Sequence, residues 1–561
     1  MDAKYMVILI ILFVSALIIG LDTWNRIKLR RRVKQEWGKF PRQPRFDKEE
    51  SLKKAWMVEK DFYPHDSEID DITWYDLDLF EVFEMINSTY SSVGSEALYQ
   101  QLRNFQFKPD RQLTALIDFF AANPKIREDT QYTFAQLGKL DNNFSKNYLA
   151  SGKKESIGNL PVFILLGCLP IVGLILIAFG FLPGIAVILI AFGFLPGIAV
   201  ILISVLFNTV YYSIKKATLE TELNSMRYLV QTVACGNKIA KLATPLQEQI
   251  KKELLPLKKI PRFGVSFRSK NGSEGDMLFE YINIIFMLPF ISYHYVVTLL
   301  ARYNQQAIAL WELLGKLEIA CAILNFRTYM PITCIPEFKK GTVSAKGTYH
   351  PLLTEAVMND VDWQTNTLVT GSNASGKSTY VKSIAINCLL AQTIQTAVAE
   401  SFTMEPGHVL TSMAVEDDLF EGDSYFVAEI KSIKRLLEQV QQKERCYCFV
   451  DEILKGTNTI ERIAASASII HWLSRYTSLA FIATHDIELT EILKNDCSNI
   501  HFSEQVTADD GISFDYKVKQ GPSTSRNAIA LLRVLGYPKS IVEQAENEAA
   551  YFNQQRTWQD L

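Results

Sequence analysis

Residues 366–392 read NTLVT, then GSNASGKST, then YVKSIAINCLLAQ, and this stretch decides the fold. Asn366 to Thr370 is a short apolar run of β type, and Tyr380 to Gln392 has helical character. Between them Gly371, Ser372, Asn373, Ala374, Ser375, Gly376, Lys377, Ser378 and Thr379 stand in the order strand, loop, helix that a P-loop requires. The chemistry of such a loop follows from its residue types. Glycines let consecutive backbone N–H groups wrap a phosphate chain at a helix N-terminus, a lysine reaches the β- and γ-phosphates, and a hydroxyl supplies a Mg2+ ligand. Lys377 and Ser378 are the residues expected in the last two roles, with ATP as the nucleotide.

Working outward, Cys446-Tyr-Cys-Phe-Val-Asp451-Glu452 is an apolar strand that ends in two carboxylates. Asp451 is expected beside the Mg2+ ion, and Glu452, the next residue, is placed to orient or deprotonate the attacking water. A further strand, Leu479-Ala-Phe-Ile-Ala-Thr484, delivers His485 at its end, where a polar group can sense the γ-phosphate. The expected catalytic set is therefore Glu452, His485 and Lys377, and the expected metal ligands are Ser378 and Asp451.

Four segments, TGSNASGKST, DDLFEGDSYFVAEI, FVDEILKGTNT and FIATHDIELT, occur in that order, and together they resemble the Walker A, signature, Walker B and His-switch motifs of the MutS family of ATPases. Upstream, Asp76 to Arg103 is similar to the start of that family's helical core, and Tyr349-His350-Pro351-Leu352-Leu353 to the opening of its ATPase domain. The resemblance implies a homodimer in which each ATP is sandwiched between the Walker motifs of one subunit and the signature of the other. Ser424 of GDSYF would then touch the γ-phosphate in trans, with Asp423 and Glu429 close by. It also implies DNA, mismatched or branched, as the substrate class. Family members that find mismatches insert a Phe followed two residues later by Glu, and no such spacing occurs before Asp76, so a mismatch-reading domain is expected to be missing. An ABC transporter is the weakest alternative, since its signature would read like LSGGQ.

The composition adds a membrane to this picture. The 561 residues carry a net charge of only −3, which argues against a wholly basic nucleic-acid binder. Tyr5 to Leu21 holds no charge and, with Trp24 as an interfacial anchor, reads as a spanning helix. Arg26, Lys28, Arg30, Arg31, Arg32 and Lys34 follow it and mark the cytoplasmic side. A second uncharged block runs from Leu160 to Tyr212, long enough for a hairpin of two spans, between Lys153-Lys154 and Lys215-Lys216. Within it LIAFGFLPGIAVI occurs at Leu176 to Ile188 and again at Leu189 to Ile201, and either Pro183-Gly184 or Pro196-Gly197 suits the turn. A third stretch, Ile282 to Leu300, contains Asn283, Pro289, Ser292 and His294 and reads as a buried helix of a soluble domain. The eight cysteines show no CxxC pair and read as free thiols of a reducing compartment.

The expected fold class is thus an α/β P-loop (ABC-class) ATPase domain plus an all-α lever or core domain and transmembrane helices. Its expected boundaries are an anchor at 1–25, a basic juxtamembrane linker at 26–70, a helical core at 71–158 and 213–334 interrupted by the hairpin at 159–212, the ATPase domain at 335–551 and a tail at 552–561. Three spans with a cytoplasmic ATPase domain suit a bacterial inner or plasma membrane. Two readings of function follow. In one, ATP binding and hydrolysis drive a conformational change of a dimer on DNA; in the other, a membrane-bound switch or scaffold acts on a protein or lipid partner without DNA.

Overall fold

The computed structural model describes residues 3–41, 48–60, 64–140, 143–151, 157–180, 195–267, 274–372, 375–413, 425–507, 511–523, 529, 532–533, 536–555 and 557–558. They form two compact units. One comprises Met1–Pro64, Ile86–Gln100 and Arg111–Thr328, and the other His65–Met85, Gln101–Asp110 and Tyr329–Leu561.

The second unit is built on a six-stranded sheet. Thr367–Thr370 lies at its centre, flanked on one side by Leu479–Thr484, Cys446–Asp451 and His408–Ser412, all parallel, and on the other by Ser498–His501, parallel, and Lys519–Gln520, an antiparallel edge. The central strands are buried and mostly apolar, as strands covered on both faces must be, with Asp451 half-buried at the end of its strand. One face packs Leu436, Val440, Cys448, Ile470 and Ile482 against each other. On another side Trp363 lies among Tyr447, Phe449 and Phe481, with its ring centroid 4.3 Å from that of Phe481. Glu337–Phe338, Ser401–Met404, Val343–Thr348 and Asn359–Trp363 make a second, four-stranded sheet.

This unit also takes in two upstream segments that the sequence reading assigns to the helical core. Asp76 is buried and accepts hydrogen bonds from Thr411 Oγ1 (2.6 Å) and the Met413 amide (2.9 Å), and Arg435 pairs with Asp70. The fully buried Arg103 stacks 4.1 Å from the Trp74 ring centroid and donates to the Ile69 carbonyl. Hydrogen bonds at such sequence separation leave no local periodicity, which is why the boundary at residue 71 is not the structural one.

The first unit is helical. Its opening helix, Ala3–Glu36, runs from the apolar Tyr5–Leu21 stretch through the basic cluster without a break. Arg30 pairs with Glu128 and Asp129, and Val33 is buried. Residues 26–36 are therefore not linker: Lys, Arg and Gln are good helix formers and simply propagate a helix already nucleated. A second helix, Glu49–Glu59, occupies more of the same interval. Deeper in the unit Glu318, fully buried on helix Asn304–Tyr329, accepts from the Tyr90 and Ser91 amides at 2.7 and 3.2 Å, and burial pushes its carboxyl up to about 7.

Among the described residues two helices are long and apolar enough to cross a membrane, Leu160–Ala178 and Leu195–Thr218. Most side chains of Tyr5–Leu21 and the chain from Phe181 to Phe194, including Pro183-Gly184, lie outside the described residues. Pro196-Gly197 belongs to the first turn of helix Leu195–Thr218 and is therefore not the turn of the hairpin. The two helices cross closely: a Cβ on Gly173 would stand 2.9 Å from the Gly197 carbonyl, and one on Gly197 2.8 Å from the Gly173 carbonyl. Only glycine permits that approach. The stretch from Ile282 to Leu300 is not one helix. It breaks at Met287, whose φ is 54°, into helices that meet at a bend of 77°.

Candidate functional site

The register of the main sheet assembles the site. Thr484 lies opposite Thr370, and Ala483 opposite Asp451, so three neighbouring strands end at one level. The loops that follow them carry Gly371, Ser372, Ser375, Gly376, Glu452 and His485 to the same edge. Gly376, with φ of 99°, caps helix Lys377–Thr393 in the left-handed region, where a side chain would be strained.

At this edge Ser378 Oγ donates to Asp451 Oδ2 at 2.7 Å. Lys377 Nζ folds back on its own loop and donates to the carbonyls of Gly371 (2.9 Å) and Ser372 (2.8 Å), with His485 Nε2 at 3.4 Å. His485 Nε2 in turn lies 3.1 Å from Glu452 Oε1, and Lys455 Nζ 3.6 Å from Glu452 Oε2. Burial, followed by the Lys377 ammonium, holds the His485 imidazole below its ordinary range. Glu452 has φ of 61°, unusual for a residue with a side chain, and its amide donates to the Ala483 carbonyl at 2.9 Å. That turn takes Glu452 out of its strand and brings its carboxylate to His485.

Of the residues expected from sequence, Gly371, Ser372, Ser375, Gly376, Lys377, Ser378, Thr379, Asp451, Glu452 and His485 belong to this one edge. Asn373, Ala374, Asp423 and Ser424 lie outside the described residues. Glu429 is buried and accepts from the amides of Lys455 (2.8 Å) and Gly456 (3.5 Å), so it secures the turn behind Glu452.

Other residues escape the sequence reading. Arg462 donates to both carboxylate oxygens of Asp486, at 2.8 and 2.6 Å, and the Asp486 amide donates to Thr484 Oγ1 at 3.0 Å. This bidentate clamp fixes the chain on either side of His485. Arg462 lies on helix Thr459–Leu473, which is capped by Asn458 accepting from the Glu461 amide at 3.0 Å. Asn458 followed three residues later by Glu461 is a legible helix start; the partner of Arg462 is not legible. A cleft of about 480 Å3 opens over the site, lined by His350, Val357 and Tyr516 as well as by Ser375 to Tyr380, Asp451, Glu452 and His485. Its volume suits a small-molecule ligand.

A hydroxyl and one carboxylate within hydrogen-bond distance are the donor set expected for Mg2+, which keeps few protein ligands and takes the rest from phosphates and water. Ser378 and Asp451 fit that ion.

Residues 367–553 match the family model MutS domain V. The chain is 30% identical over 194 residues to the DNA mismatch repair protein MutS of Streptococcus sanguinis, a match covering 34% of this chain and 22% of that protein. It is 30% identical over 230 residues to that of Lactobacillus delbrueckii subsp. bulgaricus (38% and 26%), and 29% over 201 residues to that of Thermus thermophilus (35% and 24%). The matches span about a quarter of the length of these curated relatives.

Proposed function

The chain is a MutS-family protein by its C-terminal domain V, and from that premise we propose that it is a membrane-held ATPase that works as a homodimer. The observation that carries the proposal is the meeting of Lys377, Ser378, Asp451, Glu452 and His485 at one sheet edge under a cleft of suitable size. In this reading Lys377 leaves the carbonyls of Gly371 and Ser372 for the β- and γ-phosphates of ATP, and the amides of residues 371–379 wrap the phosphate chain. Ser378 and Asp451 would hold Mg2+, which when bound would neutralise charge on the phosphates. Glu452 accepts a proton from the attacking water, oriented by its bond to His485. The water oxygen forms a bond to the γ-phosphorus as the bond to the ADP oxygen breaks, giving ADP and phosphate. Ser424 of the second subunit completes the site over the γ-phosphate.

The relatives are DNA mismatch repair proteins, which supports mismatched or branched DNA as the substrate. The hairpin supports a second reading, in which the dimer is a membrane-bound switch acting on a protein or on lipid. In both, three spans hold the protein in a bacterial inner or plasma membrane with the ATPase unit in the cytoplasm. The test compares ATP turnover of the detergent-solubilised protein alone, with linear duplex, with branched DNA and with liposomes, using Lys377→Ala and Glu452→Gln as controls. Stimulation by branched DNA over liposomes supports the first reading, and the reverse supports the second. No turnover above the Glu452→Gln control under any condition overturns the ATPase proposal.

A further inference from the structure

Asn208 is fully buried in helix Leu195–Thr218, and its side-chain amide donates to two carbonyls on two other helices: Leu166 at 2.9 Å and Ile285 at 2.8 Å. These two carbonyls have something in common. Leu166 stands four residues before Pro170, inside helix Leu160–Gly180, and Ile285 four residues before Pro289, just past the break at Met287. Pro170 has no N–H to give Leu166, and helix Glu274–Phe286 ends one residue after Ile285, so neither carbonyl has the partner that a continuous α-helix would give it. One amide group serves both. With two acceptors facing it the nitrogen end of Asn208 is unambiguous, whereas Oδ1 is buried without a partner.

The helices also touch where these bonds form. A Cβ on Gly167 would lie 2.5 Å from the Phe286 carbonyl, so the broken end of helix Glu274–Phe286 rests on the backbone of the hairpin. Phe163 stacks on Phe290, with centroids 5.0 Å apart, one turn nearer the start of the hairpin. Lys216 Nζ and Glu280 Oε1 pair at 2.6 Å. This pair gives a level. Lys215 and Lys216 are the first charges after the apolar block, and eight residues of helix separate Lys216 from Asn208, about 12 Å at 1.5 Å per residue. Leu166 is six residues, about 9 Å, inside the start of the other hairpin helix. The break at Met287 is held at that depth, below the charged rim, and Ile282, Ile284, Ile285 and Phe286 beside it are apolar and half-buried.

We propose that the bent pair Phe279–Phe286 and Leu288–Arg302 is a re-entrant element that dips into the bilayer from the Lys216 side and is bolted to the hairpin by Asn208. Its partner is the acyl region of the lipid. A helix break can stand at that depth only where its freed carbonyls find donors within the protein, and the amide of Asn208 provides one to the hairpin and one to the re-entrant pair. The inference rests on the hairpin being a membrane hairpin.

The test places spin labels on the full-length protein in phospholipid vesicles and compares their exposure to oxygen, which concentrates in the acyl region, with exposure to a water-soluble nickel chelate. Cys168, exposed on the first hairpin helix, is labelled in a Cys334→Ser protein, and Ile284→Cys is labelled in a Cys168→Ala, Cys334→Ser protein. Both labels are expected to favour oxygen. If Cys168 favours oxygen and Ile284→Cys favours nickel, the re-entrant element is refuted and the hairpin stands. If both favour nickel, the membrane reading falls as well. A second measurement addresses the bolt. Asn208→Leu should lower the Tm of the detergent-solubilised protein on the order of 5 °C, and less in a Pro170→Ala background, where a backbone N–H can serve the Leu166 carbonyl. An equal fall in both backgrounds would refute the role of Asn208.

Discussion

Glu452 offers the sharpest test, because its backbone and its carboxylate make separate predictions. Its φ of 61° puts it in the left-handed region, and its amide is tied to the Ala483 carbonyl at 2.9 Å. That conformation costs a residue with a Cβ about 1 kcal/mol and glycine nearly nothing. Its Oε1 lies 3.1 Å from His485, where a glutamine oxygen can accept the same bond. Glu452→Gln should therefore keep the backbone, the bond to His485 and the affinity for ATP, yet lose the base. A positioned general base is worth about 10^2- to 10^4-fold, or about 3 to 5 kcal/mol of barrier. Phosphate release at saturating ATP should fall by that factor while binding of a fluorescent ATP analogue stays near wild type. Glu452→Ala and Glu452→Gly should be equally inactive, but the glycine variant should be the more stable by about 1 kcal/mol in denaturant unfolding. Wild-type turnover in Glu452→Gln would refute the base. A glycine variant less stable than the alanine variant would refute the strain argument.

Lys377→Ala should weaken ATP binding about 10- to 100-fold, the value of hydrogen bonds from a charged donor, measured by equilibrium titration with the same analogue. Ser378→Ala should make the affinity for ATP far less dependent on Mg2+, read by titration with and without a chelator. His350 and His408 are both buried, and burial takes each imidazole down to about 4. Below about 6.5 the unfolded chain binds protons that the folded one refuses, so their contribution is complete above that pH and is lost as pH falls towards 4, about 3 kcal/mol for each. His408→Gln should flatten the acid limb of a stability profile measured between pH 4 and 7. Asp76→Ala strands the Thr411 hydroxyl and the Met413 amide and should cost about 2 to 4 kcal/mol, with Asp76→Asn milder, as read by chemical unfolding.

The motifs were legible because they are local. A strand, a turn that needs glycine, a lysine and a hydroxyl stand within residues 366–379, and the two other strands end on their own polar residues. Parallel pairing then aligns their ends, so Asp451 and His485 arrive where order along the chain implied. The positive φ of Glu452 was not legible, since nothing in Asp-Glu-Ile-Leu announces a left-handed turn. Nor was the Arg462–Asp486 clamp, whose two residues each look like ordinary surface charge. Charge also misled at residues 26–36, where a run of Lys and Arg suggested a solvated linker and the structure continues a helix. At Ile282 to Leu300 hydrophobicity implied one helix and missed the break at Met287, because Pro289 can start a helix as easily as it interrupts one.

The bond between Asp76 and Thr411 joins residues 335 positions apart. On a ribosome adding roughly 5 to 20 residues per second, the segment with Trp74 and Asp76 is made on the order of tens of seconds before the strand that receives it. In that interval the apolar hairpin is synthesised too. Under the proposed membrane reading, insertion of the hairpin would precede closure of the sheet, and Trp74 would await its pocket beside the nascent chain. A fragment starting at Ile335 would never receive Trp74, Asp76 and Arg103 and should be born aggregation-prone, however complete its motifs.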